Sequence, residues 1–440
     1  MWRAIRTHRR AIAAAAAGLA LAAALGAPRP AGAETLTDAW RMALHRNGEI
    51  AASRNQRSAA DAERTAAERG RWPTLAVEGG YTQLNQSPIL DIQTSSGPFR
   101  SPKIWKHDGY VSAAADLSVP LWTSGALGGS IGAARAGARG AAAAESMTKA
   151  DVKFAVTQAY VGVLRARSEL QVADTSLSSL KAHAHDVQVM YDKQAVAKTD
   201  QLAAQVALAN ALQARLRAAN ALAIATAAYN RWVGEPLDRT PDLVEPPPAA
   251  APVESIGALV ARALETRPEV AVLEAQHTRL EDAARAERAQ SLPQVALHAG
   301  YTHFDNQILD RQNIATIGVQ FRWRLFDAGQ IREHTAALRS RAWAVQRQLE
   351  DLRSKIALQV RTSALDRDDA AARLRAAGLA VAQARENQRV ADELYRSGLG
   401  TNTQVLEAES LRATALKNRD DARYDLVIAG YRLDLAIGAL

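Results

Sequence analysis

The chain has 440 residues, 48% of them apolar and 23% charged, enough for a large buried core or for two to three domains. Its formal charge of +8 is concentrated at the start. The first 33 residues hold five basic side chains and no acid, which leaves 49 basic against 46 acidic residues elsewhere. That near-balance excludes the footprint of a nucleic-acid binder. The lack of cysteine excludes disulfide scaffolds, thiol nucleophiles, thiolate metal sites and a lipid on an N-terminal cysteine.

Residues 1–33 read as an export signal. Arg3, Arg6, Arg9 and Arg10 form a basic start, residues 11–25 are apolar, and Pro28 and Pro30 break the run before Ala31-Gly32-Ala33. Cleavage is expected after Ala33, because 15 apolar residues are too few to span a bilayer comfortably. Beyond this segment no 18-residue apolar run occurs.

The remainder is written twice. Ala43-Leu44, Glu49, Ala51, Pro73 and Gly80-Tyr81-Thr82 recur 220 residues later as Ala263-Leu264, Glu269, Ala271, Pro293 and Gly300-Tyr301-Thr302. Leu121, Gly125, Tyr191, Leu202 and Gly234 recur 204 residues later as Leu325, Gly329, Tyr395, Leu406 and Gly438. The offset changes once, between Thr82 and Leu121, so residues 83–109 read as a loop and the rest as fixed geometry. The first repeat covers 34–234 and the second 256–440. Residues 235–255, rich in proline, form an extended connector.

Each repeat reads as helix, two strands, very long helix, turn, helix. In the first, helices are predicted over 36–70, 124–190 and 199–234. The long one carries Val152, Val156, Ala159, Val163, Ala166, Leu170, Ala173, Leu177, Leu180, Ala184, Val187 and Tyr191 in 4-3 steps, a coiled-coil seam. The second seam is interrupted at Ser363, Arg367 and Gln388. At 1.5 Å per residue the long helix spans roughly 100 Å, about the length of the two short ones end to end. A tall helical rod is the expected product.

The strands, near 73–82, 110–121, 293–302 and 314–325, alternate in a way that suits a membrane. Leu75, Val77 and Tyr81 share one face, as do Val111, Leu117 and Val119, then Val295, Leu297 and Tyr301, then Ile317, Val319, Phe321, Trp323 and Leu325. Glu78, Asp116, His298, Gln320, Arg322 and Arg324 fall on the other. About ten residues is the length of a transmembrane β-strand, and Trp72, Trp122, Trp323 and Phe326 sit where an interfacial girdle would lie. The alternative, a sheet packed on helices in a soluble α+β protein, would leave narrow helices to cover its apolar face. Four strands cannot close a barrel, so the chain is expected to oligomerise through them.

These marks together resemble the TolC-like outer membrane efflux protein family. They are the doubled order of elements, Pro73…Gly80-Tyr81 with Pro293…Gly300-Tyr301, and the strand-to-helix joints Pro120-Leu121-Trp122-Thr123-Ser124-Gly125 and Arg324-Leu325-Phe326-Asp327-Ala328-Gly329. The resemblance covers 36–438. It implies a mainly α fold with a membrane β-barrel: a homotrimer with a 12-stranded barrel in outer-membrane lipid and an α-helical tunnel in the periplasm. It further implies docking to a periplasmic adaptor, or membrane fusion protein, and through it to an inner-membrane pump.

The resemblance also places a gate at the two helical turns. Thr199-Asp200 matches a Thr-Asp pair on the first turn, and Tyr395 matches its tyrosine partner on the second. The arginine expected opposite Asp200 falls on Gly400, with Arg396 one turn earlier as the substitute. The acidic ring of the constriction falls on Gln404 and Glu407. Ser397-Gly398-Leu399, with the degenerate Ala195-Val196-Ala197, matches the tip offered to adaptors. A plainer reading of the same residues stands beside this one. Thr199 fits an N-cap, Asp200 a helix-dipole partner, and Thr401 with Gln404 a capping box.

No nucleophile elbow, phosphate loop or paired-histidine motif occurs, so no enzymatic activity, cofactor or metal is expected. His183 and His185, two apart on a helix, point to different faces and cannot share an ion without distortion. The expected function is a passive duct for drugs or other small molecules in a tripartite export system. Type I protein secretion through the same duct is the alternative. From a different class comes a periplasmic coiled-coil tether or fibre, which would need neither the strands nor returning helices of equal length.

Overall fold

The structure, a computed structural model, describes residues 33–105, 107–247, 254–306, 308 and 310–440. The expected export signal therefore lies outside the described residues, apart from Ala33. The chain is mostly helical and forms two compact units. One comprises residues 33–50, 149–259 and 360–440, the other 51–148 and 260–359.

The elements follow in one order: α1 (Leu36–Arg46), α2 (Gly48–Arg69), β1 (Thr74–Gln83), β2 (Ile89–Thr94), β3 (Gly97–Lys103), β4 (Gly109–Trp122), α3 (Ala126–Asp192), α4 (Lys198–Val233), α5 (Ile256–Thr266), α6 (Pro268–Ala289), β5 (Gln294–Phe304), β6 (Asn313–Arg322), α7 (Gln330–Arg396) and α8 (Asn402–Ala436). Both long helices have 67 residues, and the helices returning from them have 36 and 35.

The helix predicted over 36–70 is in fact two. Thr35 opens α1 with a capping box to Asp38, and Asn47 closes it in an extended conformation, its side-chain oxygen accepting the Glu49 amide at 2.8 Å. Such an Asx bond offers the backbone an alternative to the helical ladder. The corresponding helix of the second half breaks at Arg267, because Pro268 lacks an N–H and forces the residue before it out of the helical region.

The core of the first unit gathers Leu36, Ala39, Ala43 and Ile50 with Val152, Val156, Tyr160, Val163 and Leu164 of α3, Tyr229 and Val233 of α4, and Tyr424 and Val427 of α8. The 4-3 seam of α3 is therefore buried over 152–166. The seam of α7 persists through its interruptions, since Ser363 and Arg367 stay buried with Ile356, Val360 and Ala370. A buried clasp ties the chain's start to the connector. The Glu34 carboxylate accepts from the Tyr229 hydroxyl and from Arg239 at 2.8 Å, while its carbonyl accepts from Tyr160 at 2.8 Å and from the Val244 amide at 3.0 Å. Burial, reinforced by the Glu34 charge, pushes the Tyr160 phenol up to about 12.

In the second unit one antiparallel sheet runs β1-β4-β5-β6. Its register matches apolar to apolar: Leu75 faces Leu117, Val77 faces Ala115, Tyr81 faces Val111, Leu297 faces Val319, Ala299 faces Ile317 and Val295 faces Phe321. On the other face small residues oppose polar ones, as with Glu78 and Ala114 or Asp116 and Gly300. A bulge between Pro120 and Trp122 sets Trp122, not Leu121, opposite Val295. β6 ends at Arg322, short of the expected 325. Residues 83–109 are not a plain loop either, because β2 and β3 pair into a separate hairpin. Close helix packing completes the unit. A Cβ on Gly129 of α3 would lie 2.7 Å from backbone atoms of Asp282 and Ala286 in α6, so only glycine fits there.

Candidate functional site: the helical turns and the membrane sheet

The two turns that send the long helices back are built alike. In each, the helix ends with one residue in the left-handed conformation, Gln194 at φ 60° and Gly398 at φ 74°. The amide of that residue returns to the carbonyl three back (Gln194 to Tyr191, 2.8 Å; Gly398 to Tyr395, 3.0 Å), and the next amide to the carbonyl five back (Ala195 to Met190, 2.9 Å; Leu399 to Leu394, 2.9 Å). Both are Schellman closures.

The helices that follow start differently. Thr401 caps α8 in a capping box: its hydroxyl accepts the Gln404 amide, and the Gln404 carbonyl oxygen accepts the Thr401 amide at 2.9 Å. The plain capping reading thus holds for the second turn. For the first turn it holds only in part, since Asp200 does lie in the first turn of α4 while Thr199 is not the cap. Ala197 is the N-cap of α4 without any side-chain bond, and Thr199 lies inside the helix and exposed.

The expected gate residues distribute as follows. Tyr395 is buried with Val187, Ala204 and Val405, its ring centroid 5.2 Å from that of His183. Its hydroxyl has no hydrogen-bond partner among the described residues, and burial followed by the charges of Asp200 and Asp186 raises its pKa. Asp200 is half-buried and Arg396 exposed, with no ion pair between them among the described residues. Gln404 and Glu407 are exposed one turn apart on α8; Gln404 is engaged in the cap, whereas Glu407 carries no ion pair among the described residues. Of the tip residues, Ala195, Ala197, Ser397, Gly398 and Leu399 are exposed, Leu399 to 80%, while Val196 packs on the tip core.

Reasoning from sequence missed the polar ties beneath the turns. Asn402, 3% exposed, accepts from His183 Nε2 at 2.7 Å and donates to the Asp200 carbonyl at 3.2 Å. Glu409, 2% exposed, accepts from Arg412 at 2.7 Å, from Ser179 at 3.1 Å and from Gln388. The interruption of the α7 seam at Gln388 was the one sequence signal of this network. His183 spends its Nε2 on Asn402.

The sheet shows the opposite character. Val77, Ile317, Val319, Phe321 and Tyr301 are all at least half exposed on one face. Both edges, β1 and β6, are unpaired among the described residues. No described helix is long and apolar enough to cross a membrane. At the sheet's margin, Ser124-Gly125 and Ala328-Gly329 turn the strands into α3 and α7 through paired left-handed residues. Asp327 accepts the Gly329 and Ile331 amides at 2.9 Å each, which holds its carboxyl below the usual range.

The sheet with its bare apolar face is thus continuous in the chain with the two 67-residue helices, α3 following β4 and α7 following β6. The sequence profile described as Outer membrane efflux protein matches residues 259–439. The chain is 25% identical over 427 residues to Alkaline protease secretion protein AprF of Pseudomonas aeruginosa, covering 92% of this chain and 84% of that one. It is 23% identical over 418 residues to Outer membrane protein TolC of Vibrio cholerae, covering 93% and 91%. Its fold is that of the outer-membrane channel OprN (TM-score 0.78, 17% identity, 92% of this chain and 90% of that one) and of the transmembrane channel CusC (0.78, 16%, 92% and 92%). Residues 259–439 thus match the outer membrane efflux protein family, and the chain as a whole is similar in sequence to TolC and AprF and in fold to outer-membrane channels.

Proposed function

We propose that this protein is the outer membrane duct of a tripartite export system, passing drugs or other small molecules delivered by an inner-membrane pump through a periplasmic adaptor. The observation that carries the reading is the four-stranded sheet, apolar on one face and, among the described residues, unpaired at both edges. In lipid an unpaired edge costs several kcal/mol for each bare backbone group, so the sheet closes only against copies of itself. Three copies give the 12-stranded barrel of the reading. The helices then form the periplasmic tunnel, and the exposed turns, Leu399 foremost, meet the adaptor. Cleavage after Ala33 precedes assembly. The domains are the two repeats, 34–234 and 256–440, joined by 235–255.

Glu407, exposed and unpaired, is the acidic ring of the constriction, with Gln404 neutral beside it, and Thr199, Asp200, Tyr395 and Arg396 surround the closure. Such a ring sets ion preference and leaves the choice of cargo to the pump. The similarity to Alkaline protease secretion protein AprF favours a second reading, type I protein secretion through the same duct.

Photo-crosslinking from Leu399 in living cells, with the adduct identified by mass spectrometry, tests both. An adaptor adduct supports the duct, and the pump encoded with that adaptor separates small-molecule export from protein secretion. Only self-adducts, from abundant outer-membrane protein, would overturn docking at this turn and return the fibre or tether to consideration.

A further inference from the structure

Asn402 is unlike every other polar group near the turns, because both ends of its amide leave its own hairpin. It is the first residue of α8. Its oxygen accepts from His183 of α3 and its nitrogen donates to the Asp200 carbonyl of α4. Lys198, Gln201 and Gln188 bond within the first hairpin, and Arg389 with Glu386 and Glu393 within α7. Glu409 is held mainly by Arg412 and Gln388 of its own hairpin and reaches the other only through Ser179.

The amide's orientation is set by chemistry. A carbonyl can only accept, so the Asn402 NH₂ must face Asp200 and its oxygen must face the ring. His183 therefore donates through Nε2, and it does so whether the ring is neutral or protonated. Its other neighbours are the Tyr395 ring at 5.2 Å and the Asp392 carboxyl, whose pKa burial raises.

We propose that Asn402 and His183 form a hydrogen-bonded latch between the two hairpins, and that this latch holds the duct's inner end closed. Asn402 is 97% hidden, makes no side-chain bond that stabilises its own helix, and leaves the Thr401 cap to do that. Parting the hairpins breaks both of its bonds and leaves α8 intact. These two are positioning residues: they hold the turns and touch no cargo. The inference rests on the reading of the turns as the duct's gate.

The test uses the full-length trimer in planar lipid bilayers, with trimer content checked by native mass and helicity by circular dichroism. Asn402→Ala should raise mean resting conductance several-fold, His183→Ala, which leaves the bond to the Asp200 carbonyl, should raise it less, and the double variant should add little to Asn402→Ala, because that change already removes both ties. His183→Gln keeps an N–H donor and should stay near the parent. Asn402→Asp should open, since its carboxylate would face the Asp200 carbonyl. Should Asn402→Ala fail to assemble, the contrast of His183→Ala with His183→Gln carries the test. Glu407→Gln serves as the control for the gate itself. If it alters cation preference while the latch variants conduct like the parent, the latch is overturned and the duct stands. If neither changes, the gate reading falls and the latch with it.

Discussion

The two helical turns reach one backbone shape by different means. Both close with the same pair of Schellman bonds, yet the left-handed position is glutamine in the first, Gln194, and glycine in the second, Gly398. The first turn starts its return helix with an uncapped Ala197, the second with the Thr401–Gln404 box. Left-handed geometry strains a residue with a Cβ, and a capping box satisfies two amide donors that the uncapped start leaves to water. The first turn is thus weak locally and depends on packing of Val196, Met190 and Val187 beneath it. The second is strong locally. What joins them, Asn402, belongs to the strong turn and grips the weak one.

Substitutions can break or sharpen this contrast, measured as shifts in the urea midpoint of the assembled protein. The largest effect is expected from Gly398→Val, a loss of about 2 kcal/mol, because a β-branched residue tolerates the left-handed region poorly. Thr401→Ala should cost about 1 kcal/mol through loss of the cap. Gln194→Gly should go the other way, stabilising by about 0.5 kcal/mol, since relief of strain exceeds the entropy of the added glycine. A loss there would show that Gln194 makes a contact outweighing its strain.

Thr199→Ala should leave stability unchanged, because Thr199 caps nothing, so any change in its conductance would report gating alone. Tyr395→Phe should likewise change little at neutral pH, because the lost hydroxyl has no partner among the described residues. Its effect should appear in alkali. A phenol whose pKa is raised on folding contributes stability in full below its unfolded value near 10, and this is lost as pH rises through the folded value. Tyr395→Phe should therefore flatten the loss of stability above pH 10. Tyr160 and Tyr229 of the Glu34 clasp add to the same loss, burial being the leading cause for both.

Much was legible because it repeats with a period. The helices, the two long ones above all, and the four sheet strands follow from 3.6- and 2-residue alternation, and the turns from glycine, threonine and the symmetry of the halves. The breaks at Asn47 and Arg267 were missed because each is one residue long and the apolar pattern runs across it. The β2–β3 hairpin was missed because Pro98 and Pro102 sit inside β3, an edge strand of a two-stranded pair, where a missing amide is tolerated. At the candidate site, sequence reached Asp200, Tyr395, Gln404 and Glu407 by resemblance. It passed over Asn402 and Glu409, because one polar residue at a helix start and one acid in a charged helix carry no local mark of burial.

The sequence by itself determined the long helices and their returns, the four strands of the main sheet, that one sheet face is greasy, and where the chain turns back. These properties follow from neighbours a few residues apart, where periodicity and turn chemistry act. Only the tertiary structure decided that Glu34 is a buried anchor for Tyr229 and Arg239, that the Pro120–Trp122 bulge sets Trp122 opposite Val295, and that Asn402 reaches across to His183 and Asp200. Partners some 200 residues apart are chosen by which helix faces meet, and burial then makes an unpaired polar group costly enough to select its partner.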